Sequence, residues 1–151
     1  MQVTKHCKAP PHGYLQNTPH LQRNHHRCVI IEERAVVEVM ELGGKIYKEA
    51  AYILGTHEVE WSVIVVLVDD DNAYWVGTDS GCSCNSAFEY TESINDFTGP
   101  LTLEQAKQSV ALCIEGDYLI VGDYGLETSA DVEQFVEEEF SNAALSVTLD
   151  S

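Results

Sequence analysis

The chain's hydrophobic pattern changes character along its length: no periodicity at first, then strand-like runs, then helical stripes. The clearest strand is EWSVIVVLV, Glu60 to Val68. It is apolar on both faces, which predicts a central position in a sheet. DDDN, Asp69 to Asn72, supplies turn residues, and AYWVGTD, Ala73 to Asp79, returns as its hairpin partner. Upstream, the β-branched residues of Val29–Ile31 and Val36–Val39 favour strands. Gly43-Gly44 between two apolar runs is a hairpin signal. Glu32 to Leu42 also patterns at helical period, so a helix ending at Gly43 is the competing reading.

The second half predicts two helices. In LTLEQAKQSVALCI, Thr102 is an N-cap and Gln105 completes a capping-box pattern. Leu103, Ala106, Val110 and Cys113 then share a face. In TSADVEQFVEEEF, Thr128 with Asp131 signals the start, and Val132, Phe135, Val136 and Phe140 form the apolar stripe. DYLIVGDYG between them reads as a strand and turn, and ALSVTLD as a last short strand. The fold class expected is α+β: a mostly antiparallel sheet with two short helices and an irregular N-terminal arm.

That arm is residues 1–28, ahead of a single acidic domain at 29–151. It contains no acid and holds five of the six histidines, three of the four prolines and two cysteines. Pro10, Pro11 and Pro19 forbid a continuous helix. Cys7, His12, His20, His25, His26 and Cys28 are enough nitrogen and sulfur ligands for a tetrahedral zinc, but their spacing fits no standard finger.

Charge sharpens the division. Residues 1–48 carry seven of the eight Lys and Arg against four acids, whereas residues 49–151 carry Lys107 alone against 21 acids. An acidic body repels nucleic acid and anionic lipid and attracts basic partners. Direct nucleic-acid binding is therefore not expected. The longest apolar run, Val63 to Val68, is six residues, far short of the ~20 of a membrane helix. There is no apolar signal core near Met1, so a cytoplasmic location with reduced thiols is expected. Five cysteines also fit a closed disulfide framework poorly.

Little else looks like chemistry. There is no phosphate-binding Gly-rich loop, nucleophile elbow, H-E-x-x-H or dinucleotide fingerprint. The exception is TDSGCSCNSAFEY, Thr78 to Tyr90, where Cys82 and Cys84 follow directly on a strand. Side chains at i and i+2 share a strand face, so this pair can be packed apolar residues, half of a metal site, or a reactive dithiol. His57 is the candidate third ligand for zinc, with Cys113 or an arm residue as the fourth. His57 is also the candidate base in a thiol dyad.

The residues Tyr74-Trp75, DSGCSCNSAFEY and INDFTGPLTLEQA resemble a segment of small uncharacterised bacteriophage proteins, notably of actinobacteriophages. The resemblance spans about Trp61 to Val110 and implies a compact α+β domain of phage origin, with no activity attached.

Three functions are expected to compete. The first is a non-enzymatic accessory protein that binds a basic host protein, in an anti-defence or DNA-mimic role, through Asp69, Asp70, Asp71, Glu133, Glu137, Glu138 and Glu139. The second is a protein that sequesters a small signal molecule near Trp75, Asp79, Cys82 and Phe88. The third is a zinc-binding or thiol-dependent protein built on Cys82, Cys84 and His57. The first is preferred, with no cofactor.

Overall fold

The structure, a computed structural model, describes residues 24–32 and 35–148. Cys7, His12, His20 and most of the expected arm lie outside the described residues. Among the described residues, six strands form one antiparallel sheet in chain order: β1 (His26–Glu32), β2 (Ala35–Leu42), β3 (Lys45–His57), β4 (Glu60–Val68), β5 (Tyr74–Cys82) and β6 (Thr98–Leu101). Three helices follow: α1 (Leu103–Glu115), α2 (Tyr118–Tyr124) and α3 (Ser129–Thr148). The α+β class holds, with three helices among the described residues in place of the two expected.

Local chemistry explains the hairpins. Gly43 and Gly44 both take positive φ, 58° and 81°. This is the two-residue turn whose twist suits a hairpin, so β2 and β3 pair with Leu42 opposite Lys45. The helix considered for Glu32 to Leu42 does not form. At the β4–β5 turn, one Asp69 oxygen accepts from the amides of Asp71 (2.9 Å) and Ala73 (3.0 Å). The other accepts from the Trp75 indole at 2.9 Å.

The sheet is buried on both faces. On one, Ile53, Ile64, Val66 and Val76 meet Ala106, Val110, Ile114, Ile120, Val132, Phe135, Val136 and Phe140 of the helices. On the other, Met40, Leu54, Trp61, Val63, Val65 and Leu67 are covered by Ala87, Phe88 and Phe97 from the segment between β5 and β6. Residues 61–67 of β4 are all buried, as expected of a central strand. Phe88 and Phe97 stack with ring centroids 5.6 Å apart. Burying a side chain of that size contributes about 1.5–3 kcal/mol, so this irregular segment is the second layer of the core.

α1 has the expected capping box: Thr102 Oγ1 accepts from the Gln105 amide and Gln105 Oε1 from the Thr102 amide. α1 and α3 run antiparallel. Lys107 bonds Glu137 at 3.1 Å, and Ser129 Oγ donates to Glu115 at 3.2 Å, so the chain positions ascend on one helix as they descend on the other.

Two expected strands are helices. DYLIVGDYG forms α2, because Asp117 caps it by accepting from the Leu119 and Ile120 amides and Gly125 closes it in the left-handed conformation. The ALSVT of the expected last strand continues α3 to Thr148, where Ala and Leu favour the helix already nucleated before them.

Candidate functional site

β5 ends at Cys82 and the chain turns at once, with the Asn85 amide donating to the Cys82 carbonyl at 3.0 Å. The Trp61 indole donates to the same carbonyl at 2.7 Å. Gly81 is needed there, since a Cβ would meet Trp61 Cζ2 at 2.8 Å. The turn is therefore fixed from beneath by a buried tryptophan. It brings both thiols to one atom: Cys82 Sγ lies 3.6 Å and Cys84 Sγ 3.5 Å from Asn85 Oδ1. Cys82 is half-buried and Cys84 exposed. The interaction between the two thiols holds Cys82 below the ordinary thiol value and leaves Cys84 above it. Cys113 sits against the helical core, and burial raises its pKa.

The neighbouring loop is tied back to the sheet. Asp79 accepts the Phe88 amide at 2.7 Å, which holds Phe88 at a positive φ of 60°. Asp79, Phe88 and Trp75 thus belong to the second face of the sheet. Phe88 is in its core, Trp75 packs against that core, and the Trp75 indole is bonded to Asp69. Their polar groups serve the fold.

His57 does not join the thiols. It pairs with Glu60, which pairs with Cys82, so a whole strand separates them, about 10 Å at the usual strand spacing. Among the described residues, a different group gathers ligating atoms within 4.8 Å of one another: His26, Glu38 and Glu49. The His26 Nε2 is 3.3 Å from Glu38 and 3.9 Å from Glu49. The sequence marked His26 as a candidate ligand of the arm but not Glu38 or Glu49, because the three residues come from three strands. The available signal was a charged Glu on the inward-facing pattern of each of two strands.

The acidic residues divide by role. The Asp69 carboxylate is occupied, and the Trp75 indole followed by backbone amides holds its pKa below the ordinary 3.8. Asp70 and Asp71 are exposed at the turn. On α3, Glu133, Glu137 and Glu138 are exposed, while Glu139 is half-buried and its carboxyl is pushed up by desolvation and by the Glu138 charge. Lys107 is bracketed by Glu104 at 3.8 Å and Glu137 at 3.1 Å. Tyr74 of β5 contacts Phe140 of α3, with centroids 6.4 Å apart, so the aspartate turn and the later part of α3 meet at one end of the molecule. No helix among the described residues is long and apolar enough to cross a membrane.

No curated protein and no solved structure matches the chain. A family model described as Domain of unknown function (DUF7574) matches residues 40–142, from the end of β2 to within α3. Because that match takes in β3 to β6, the thiol turn and the helical layer, the chain belongs to the DUF7574 family.

Proposed function

We propose that this protein is a non-enzymatic accessory factor that docks a basic protein partner on the acidic helical layer, and that it acts for a phage inside its host. One observation carries the reading: Glu133, Glu137 and Glu138 are exposed on α3, and the lysine beside them is held between two carboxylates. That surface keeps a strong negative potential for a partner to answer. Leu112 of α1 is 71% exposed and lies level with the Glu133 turn of the antiparallel α3. It offers an apolar anchor among the charges. Asp70 and Asp71 extend the patch at the end where Tyr74 meets Phe140. Resemblance to small phage proteins supports the accessory role.

The test compares tagged wild type with the triple variant E133Q/E137Q/E138Q in capture from host lysate at low and high salt. A partner held by these charges leaves as salt rises, because exposed charge pairs are screened. Three contacts of about 0.5 kcal/mol each amount to roughly a tenfold loss of affinity in the variant. Capture that is unchanged by the substitutions and by salt refutes the reading.

A further inference from the structure

We propose that Cys82 and Cys84 are a reversible dithiol–disulfide pair, a redox-sensitive site that takes a low-molecular-weight disulfide as its oxidant. This inference is independent of the helical layer. It rests on three features of the turn.

First, the geometry gathers the two thiols. Both donate to the single oxygen Asn85 Oδ1, Cys82 at 3.6 Å and Cys84 at 3.5 Å. Bridging two cysteines requires their sulfurs to face one another, and a straight strand continuing past Cys82 would instead leave them side by side along one face. The turn closed by Asn85 N–H to the Cys82 carbonyl supplies the bend.

Second, the two thiols differ in the way a stepwise exchange needs. Cys82, half-buried, reaches its thiolate more readily; Cys84, exposed, holds its proton more tightly. The thiolate is the attacking species in disulfide exchange. Asn85 can serve both forms, since its amide can turn oxygen toward a thiol or N–H toward a thiolate.

Third, the chemistry closes within the site. The Cys82 thiolate attacks one sulfur of the external disulfide, forming a mixed disulfide and expelling one external thiolate. Cys84, losing its proton, then attacks the Cys82 sulfur, which forms the Cys82–Cys84 bond and expels the second external thiolate. The two protein protons end on the two external thiols. The protein pair is oxidised by two electrons and the external disulfide is reduced by two. Cys113, packed against the helical core with its pKa raised by burial, stands outside this exchange.

The sequence provides a clean assay. Lys48 and Lys107 bound a tryptic peptide, residues 49–107, whose cysteines are Cys82 and Cys84 alone; Cys113 falls in the peptide that follows. Reduced full-length protein is equilibrated across a series of reduced-to-oxidised glutathione ratios, acid-quenched, alkylated and digested. The expected result is that peptide 49–107 loses the mass of two hydrogens and both alkyl labels as the oxidised fraction rises, and regains them on reduction. Cys113 is alkylated throughout. Trp61 fluorescence changes in step, because its indole is bonded to the Cys82 carbonyl. In C84S the peptide should instead retain one glutathione, on Cys82. In C82S, glutathione should add to Cys84 several-fold more slowly. Three results overturn the proposal: two alkyl labels persisting in excess oxidised glutathione, stable glutathione adducts on the wild-type peptide, or cross-links from this peptide to Cys7, Cys28 or Cys113.

Discussion

Gly55 and Gly122 allow one chemical change to be made inside the β3–α2 contact and on the open side of the same helix. Gly55 lies in β3 directly under α2. A Cβ there would meet the Ile120 nitrogen at 2.6 Å and the Leu119 carbonyl carbon at 2.8 Å. These are backbone atoms, so no rotamer change relieves the overlap. α2 itself must move, and it is held on both flanks: the Thr56 amide donates to Asp123 at 2.7 Å, and the Tyr124 hydroxyl donates to the Leu54 carbonyl at 3.2 Å. Overpacking costs about 1–3 kcal/mol, and weakening one or two of these bonds adds about 1 kcal/mol each. The methyl's own burial offsets about 0.8 kcal/mol. The expected net destabilisation for Gly55→Ala is about 3 kcal/mol, a fall in Tm of roughly 6–12 °C for a chain of this length. Gly122 lies within α2, where a Cβ meets nothing within 4 Å. There the same substitution removes backbone entropy from the unfolded chain, and G122A is expected to stabilise by about 0.5–1 kcal/mol. Thermal and urea denaturation followed by circular dichroism measure both. If G55A is as stable as wild type, or if the two variants shift in the same direction, α2 does not sit on β3 as described.

Other expectations concern caps, loop and titration. T102A removes the α1 cap and should cost about 1 kcal/mol, or 2–4 °C in Tm. D79A frees the Phe88 amide; hydrogen exchange should quicken across residues 85–97 and remain slow in β4. Glu139 is protonated more readily folded than unfolded. The native state therefore binds the extra proton, and this group's contribution to stability improves as pH falls through the raised pKa towards 4.5. E139Q should abolish that rise and stabilise the protein at neutral pH, measured by denaturation at several pH values. Asp131 has the opposite sign. Backbone bonds from Glu127 and then Thr128 lower its pKa, so its contribution is present above 3.8 and is lost as pH falls through the folded value. D131N should flatten that acid limb.

The sequence carried most of the sheet and little of the second layer. The β4–β5 hairpin was legible because Val63 to Val68 is apolar on both faces and the aspartates mark its turn. The α1 capping box was legible because Thr102 and Gln105 are three residues apart. α2 was not, because seven residues make barely two turns, too few for a 3.6 period to emerge, and Leu119-Ile120-Val121 resembles a strand core. Its caps, Asp117 and Gly125, were the better signal. The thiol pair was visible as C-x-C, but what positions it was not. The Trp61 indole reaches it through the fold, and the Asp79–Phe88 bond spans nine residues of chain. The His26, Glu38 and Glu49 group depends on the register of three strands, which no local pattern specifies.

The order β1 to β6 is also the order of synthesis. Each strand finds its partner in the segment made just before it, so the sheet can zip up hairpin by hairpin as the chain leaves the ribosome. Loop closure is inexpensive at each of the first four steps. Only β6 must wait, since the segment carrying the thiols intervenes between it and β5. An emerging chain would therefore hold a nearly finished sheet with both apolar faces bare until Phe88, Phe97 and then the helices arrive. In that interval a nascent-chain chaperone would have the most to protect.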